Sequence, residues 1–514
     1  MYHSIVHKII SFMYIYTFVI IRKYITQVIK KVQKIKGDFR NMEKKLGLIG
    51  LISLVVGSMI GGGIFQLPAE MATAGGPLAA IIAWIITGIG MFFLGKVFQI
   101  LSDEKSELTG GIYAYAKEGF GSYIGFNSAW GYWISQTLGN VSYIVLFIYA
   151  LKSFFPEIRG VKSIVGLIIS VIMIWGSVFI ISRSLTLANK LNTIATFAKM
   201  VPVVFAIFLL FLTFKLHTFR ADFYGSTLSL QGGIDFGSIP NQVKNGLLQT
   251  VWVFIGIESA VVISGRAKNK KDVGKATIIG YLFTLLCYVL IVMLSFGSLK
   301  QDLLMNLENP ALGGVLQQTY GTWAAVIINV GVLISVLGAW LAWGIINAEI
   351  SMIVAKDGVF PQMLAKTSKK GTPINALIVN AIIMQIGFIF AMLASNAFSA
   401  ITSIATAMVL LPYILSALYL IKLKIQQKDK KGKVIAIIYS LISLLFSLYA
   451  LSTSGISGLL ELAILYSIGW VLIFITAKEQ KRKLFEKKWE LILCSIISIL
   501  GIVGVVYVVT PLIK

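Results

Sequence analysis

Charged side chains are scarce in this chain. They make up 13% of its 514 residues, against about 25% in an ordinary soluble protein, which argues against a set of water-soluble domains. Cysteine is nearly missing. Cys287 and Cys494 are the only two, and both lie in apolar stretches, where the residue acts as a small hydrophobe. They allow neither a disulfide framework nor a cysteine-based zinc site. Histidine is limited to His3, His7 and His217. Without a His-Glu-x-x-His pair, intramembrane metalloprotease chemistry has no ligands. No nucleophile–base pair or catalytic motif stands out, so the expectation is a non-enzyme with no cofactor and no metal. Acidic residues are few, 21 against 45 Lys and Arg, for a formal charge of +24. A nucleic-acid partner is still rejected, because the lysines sit in alternate loops between hydrophobic spans and do not form one groove-binding face.

What is there is apolar. Some 57% of the residues are hydrophobic, gathered in blocks of roughly 20, the length that crosses a ~30 Å hydrocarbon core as a helix. A β-barrel needs ~10-residue strands of alternating polarity, and runs such as Leu491 to Ile513 do not alternate. The reading is an all-α polytopic membrane protein in contact with the lipid bilayer. About thirteen spans are predicted, at 46–73, 77–101, 123–151, 161–182, 187–213, 240–265, 275–298, 321–354, 374–394, 398–421, 433–451, 458–477 and 489–511. Basic clusters follow the even-numbered spans: Arg266 to Lys275, Lys356 to Lys370, Lys422 to Lys433 and Lys478 to Lys488. The loop after span 7 offers Lys300 against Asp302 and Glu308. Positive charge stays inside, so the N-terminus of span 1 is expected in the cytoplasm. Residues 1–41 form a basic extension with three readings: an extra membrane-associated helix, a signal segment without a small-residue cleavage site, or sequence upstream of a start at Met42. The last is favoured.

Two spans are interrupted. Span 1 reads Gly57-Ser58-Met59-Ile60-Gly61-Gly62-Gly63-Ile64-Phe65, with Pro68 close behind. Each glycine costs about 1 kcal/mol in a helix relative to alanine, and proline is tolerated in the first turn of a restarted one. Span 6, five spans later, reads Trp252-Val253-Phe254-Ile255-Gly256-Ile257-Glu258-Ser259-Ala260. Unwound backbone at membrane depth is tolerated where it is buried or lines a cavity, and matched breaks in two halves point to a midplane binding site. Free amides near Gly62, Gly63 and Ile64 suit an α-carboxylate at a helix N-terminus. Carbonyls around Met59, Ile60, Trp252 and Ile255 suit an α-ammonium. The competing reading is that the glycines only let helices pack closely. Three in a row, followed by proline and matched in span 6, favour the site.

Ionisable residues inside spans carry the next signal. Lys199 lies in span 5, where an unpaired charge is costly; the alternative is a lysine that snorkels to the membrane face. Glu258 follows the span 6 break and is a candidate for a cytoplasmic gate. Glu349 has no role derivable from sequence, and Glu461 in span 12 falls outside the transport core.

These motifs resemble the basic amino acid/polyamine antiporters of the amino acid–polyamine–organocation superfamily, most of all the arginine/ornithine antiporters. Beside the two interrupted spans, the matching stretches are Gly110 to Ala116, Ser128 to Trp133, Gly139 to Val141, Ala348 to Ile350, Ala355 to Pro361 and Gly371 to Pro373. The resemblance covers about 45–480. It implies two inverted five-helix repeats of the LeuT-like kind, here 42–213 and 214–421, with additional C-terminal helices in 422–514, about 12–13 membrane helices in all. It implies a cell membrane location, in bacteria the inner membrane, with a homodimer left open. It also implies exchange of an amino acid for its metabolic product. By position, Trp252 would close over the substrate and Trp340 would stack on its cationic head. Asn140 would contact the side chain, flanked by Gln136 and Tyr143, with Gly61 and Gly256 in the unwound segments. Lys199 would stand in for a sodium ion against carbonyls near Gly57. One departure is Ala405, where the arginine/agmatine exchangers carry a small hydroxyl; Thr402, Ser403 and Thr406 are nearby. Arginine for ornithine is the leading expectation. An exchanger of an amino acid for its decarboxylation product, of histidine/histamine or lysine/cadaverine type, is the first alternative, and a proton-coupled permease the second. A non-transporting sensor is disfavoured by the intact motifs.

Overall fold

The computed structural model describes residues 47–513 except 106, 109–110, 184–197, 226–236, 260–266, 270, 369–370, 428–431, 482 and 486. The extension 1–41 and Met42 lie outside the described residues. So do the start of span 5, the end of span 6 and the loop residues Gly110, Arg266, Lys270, Lys369, Lys370 and Arg482.

Among the described residues every regular element is helical. Helices α1 (Leu48–Met59) and α2 (Leu67–Ala74) form span 1, with Gly63–Phe65 as a single 3₁₀ turn between them. Then follow α3 (Pro77–Glu104), α4 (Ile112–Phe120), α5 (Ser122–Lys152), α6 (Ile164–Arg183), α7 (Met200–Thr213) and α8 (Ile239–Trp252). The second half carries α9 (Lys271–Ser298), α10 (Ala311–Tyr320), α11 (Thr322–Lys356), α12 (Ile374–Leu393) and α13 (Ala397–Gln426). The last three are α14 (Lys433–Ser452), α15 (Gly455–Glu479) and α16 (Lys488–Ile513).

Ten of these are long and apolar enough to cross a membrane. The other three predicted spans are the two interrupted ones and span 5, of which α7 is described. Helices α4 and α10 are too short to cross and were not foreseen. Helix α4 carries the motif from Ile112 to Ala116, and its place explains a second motif. The Tyr113 hydroxyl donates to the Asp357 carboxylate, and Lys117 donates to the Asp357 carbonyl at 3.3 Å. Two stretches more than 200 residues apart therefore form one latch. Burial and the adjacent Asp357 carboxylate push the Tyr113 phenol well above its usual range.

Helix α5 has 83% of its spanning window buried and α16 has 17%, yet α5 is the least apolar of the ten and α16 the most apolar. In water the ranking would be reversed. Here lipid is the solvent, so apolar faces point outward and polar side chains collect where helices meet. Helix α5 packs against α11 and α13, and the Trp130 indole donates to the Leu465 carbonyl of α15 at 2.9 Å. Small residues set the contacts. A Cβ on Gly90 of α3 would stand 2.1 Å from the Phe446 ring of α14. Gly90→Ala is therefore expected to lower the melting temperature in detergent, and to cost much less in a Phe446→Ala background; equal losses in both backgrounds would refute this packing.

Candidate functional site

Both interruptions are present, and they meet. Helix α1 stops at Met59 and α2 restarts at Leu67, with Pro68 in its first turn. Helix α8 stops at Trp252, and 253–258 follow as turns. Gly256 has φ +111° and a Cβ there would lie 3.0 Å from the Ser58 carbonyl carbon and oxygen. Only glycine satisfies both conditions.

The carbonyls released by the unwinding find partners across the two segments. The Tyr288 hydroxyl of α9 lies 2.8 Å from the Met59 carbonyl and 2.7 Å from that of Val253. The Ser58 hydroxyl lies 2.9 Å from the Val55 carbonyl, 3.0 Å from that of Gly256 and 2.8 Å from the Ser259 hydroxyl. The buried Lys199 ammonium donates to the Gly57 carbonyl. No described residue accepts from the amides of Gly62 and Gly63.

Between these segments and α5 lies a cavity of ≈ 20 Å³, room for about one water. Met59, Gly61, Gly63, Gln136, Tyr143, Trp252 and Ile255 of the expected residues line it, with Gly139, Val253 and Trp343. Ile60, Gly62, Ile64, Asn140 and Gly256 are not among the residues that line it. Trp340 is buried but does not line this cavity; Trp343, about one turn along α11, does. Sequence alone could not decide which of two tryptophans three residues apart faces inward on a helix buried on much of its circumference.

The aromatic rings explain the glycines. A Cβ on Gly61 would be 2.6 Å from the Tyr143 hydroxyl. The Trp252 indole lies between Gly63 and Gly139, 3.3 Å and 2.9 Å from where their Cβ atoms would be. Close packing and a binding cavity are thus one arrangement. The side chain of Asn140 is fully enclosed, and among the described residues neither of its polar atoms has a partner; the Gln136 amide nitrogen likewise has none among them. Such buried groups are rare and call for an explanation. A ligand that reaches them is one.

Glu258 is fully buried. It accepts from the Tyr132 hydroxyl of α5 at 2.9 Å, the Tyr413 hydroxyl of α13 at 3.1 Å and the Gly256 amide at 3.1 Å. Neither tyrosine was singled out from sequence, since only tertiary structure brings spans 3, 6 and 10 to one carboxyl group. The hydroxyls near Ala405 serve packing between α8 and α13. Thr402 donates to the Gln249 side chain, which donates to Ser403, each at 3.2 Å; Thr406 donates to the Leu248 carbonyl at 3.4 Å. Tyr288 also escaped sequence reading, and Ser58 and Ser259, though inside the two motifs, were given no role of their own.

Gly256→Ala is expected to cost about 1–3 kcal/mol from its backbone strain, seen as a lower melting temperature, together with loss of ligand binding. A variant with unchanged melting and binding would contradict the strained turn.

The family profile described as amino acid permease matches residues 46–458. A relative from Chlamydia pneumoniae, named an arginine/agmatine antiporter, is 40% identical over 92% of this chain and 98% of its own length. A Pseudomonas aeruginosa relative, named an arginine/ornithine antiporter, is 40% identical over 88% of this chain and 95% of its own. With the broken helices meeting around one enclosed cavity, these matches show that the chain belongs to the amino acid permease family.

Proposed function

We propose that this chain is a membrane antiporter, not an enzyme, that exchanges a cationic amino acid for its metabolic product, with arginine and ornithine as the leading pair. The observation that carries the substrate class is the wall of the cavity. It combines Trp252, Trp343 and Tyr143 with unwound backbone, and among the described residues no acidic side chain lines it. An aromatic face attracts a cation by about 0.5–2 kcal/mol. A buried carboxylate would hold it harder and slow its release, which an exchanger cannot tolerate.

In this reading the substrate carboxylate binds the amides of Gly62 and Gly63, and its α-ammonium binds the carbonyls of Met59 and Ile255. Its cationic head lies against Trp343, within reach of Gln136 and Asn140. The cavity in its present form is too small for an amino acid, so loading requires Trp252 to swing from between Gly63 and Gly139. Lys199 holds the unwound part of span 1 where related transporters would use a bound cation. Glu258, with Tyr132 and Tyr413, closes the far side of the site. The basic loops after the even-numbered spans support a cytoplasmic N-terminus for span 1 and a bacterial inner-membrane location. The division into repeats at 42–213 and 214–421 follows from the matched breaks in spans 1 and 6.

The names of the relatives support a second reading, exchange of arginine for agmatine, since relatives of both kinds are 40% identical. The two differ in charge movement. Arginine and ornithine carry the same net charge, whereas agmatine carries one more than arginine.

Counterflow in proteoliposomes tests the proposal. Labelled arginine should enter vesicles loaded with ornithine and not empty ones, at a rate insensitive to an imposed potassium diffusion potential. Dependence on that potential with internal agmatine, without exchange for ornithine, would select the second reading. No arginine uptake under either load would sink both. Trp343→Ala should weaken arginine binding about 2–30-fold, and Trp340→Ala should leave it within about twofold. The reverse order would contradict the assignment of Trp343.

A further inference from the structure

On the α2 side of the molecule, beyond the closed central cavity, lies a second and larger one of ≈ 360 Å³. That is within the size range of small-molecule sites, roughly 300–1,000 Å³. Its wall includes Glu70 of α2, Lys152 at the end of α5, and Arg159, Lys162 and Glu308 from the loops around it. Lys152 and Glu308 neutralise each other at 2.7 Å. Among the described residues no ion pair engages Glu70, Arg159 or Lys162.

Glu70 is the unusual group. It is 9% exposed, inside a span, and its partners are neutral. The Ser399 hydroxyl of α13 lies 2.7 Å and 2.6 Å from its two carboxylate oxygens, and the Asn396 side chain also reaches it. A hydroxyl has one proton, so Ser399 can serve only one of those oxygens at a time. A nearly buried carboxylate with no cation from the protein, on the wall of an open polar cavity, is a site for a cation from outside the protein.

We propose that this outer cavity is a second binding site for the cationic amino acid, occupied before or after the central one. Glu70 takes the cationic head of the substrate, and Arg159 and Lys162 take its carboxylate. The incoming cation replaces the Ser399 hydroxyl on Glu70 and so loosens the contact between α2 and the start of α13. The proposal rests on the reading of the substrate as a cationic amino acid.

The test reads binding without transport. Thr73 is exposed and lines this cavity, whereas both native cysteines are 5% exposed. Thr73→Cys is labelled with a membrane-impermeant maleimide in the presence of arginine or alanine. Arginine should slow labelling at least threefold and alanine should not. The protection should survive Trp252→Ala, which disables the central site, and be lost with Glu70→Gln. Protection by alanine, protection abolished by Trp252→Ala, protection that persists in Glu70→Gln, or none at all would each overturn the proposal. If Glu70→Gln does not fold, Ser399→Ala replaces it. Removing the competing hydroxyl should strengthen protection, and unchanged or weaker protection would overturn the proposal. Failure of the exchanger reading is seen separately, as wild-type vesicles that exchange arginine for neither ornithine nor agmatine.

Discussion

Inside a bilayer no water is at hand to satisfy a backbone group, and each one left unpaired costs several kcal/mol. An intact helix avoids the problem. Span 1 and span 6 create it by unwinding, and much of the surrounding structure answers it. Tyr288 reaches carbonyls of both segments. Ser58 ties the first break to the second through Gly256 and Ser259. Lys199 occupies the Gly57 carbonyl. These contacts come from spans 1, 5, 6 and 7, so the two broken segments are braced as a unit against the rest of the bundle.

The groups left over are the ones that can work on a ligand. Two amides in the glycine run and the amide of Asn140 have no described partner. Around them the walls are aromatic and neutral. That combination gives orientation through the backbone and modest attraction through rings, which suits a carrier that must release what it binds. Two buried carboxyl groups outside this lining are held by hydroxyls of neighbouring helices, Glu258 by those of Tyr132 and Tyr413 and Glu70 by that of Ser399.

The fold was legible to the extent that it is written in local chemistry. Long apolar runs announced the spans, and Gly61 to Gly63 and Gly256 announced the breaks, because a missing Cβ is visible residue by residue. Lys199 could be picked out because a cation in an apolar run is conspicuous. The latch between Tyr113 and Asp357 was not legible. Each partner lies in a motif of its own, and nothing local links them.

Taken alone, the sequence determined that the chain is a helical membrane protein, where its helices must break, and that the breaks fall five spans apart. Length, apolarity and backbone propensity act within a few residues of each position, so they can be read in one dimension. Only the tertiary structure decided that Trp343 and not Trp340 meets the cavity, that Tyr132 and Tyr413 converge on Glu258, and that Glu70 lies on the wall of a second cavity. Those outcomes depend on the rotation of each helix about its axis. On helices buried on most faces, the hydrophobic pattern leaves that rotation undetermined, and packing against distant segments sets it.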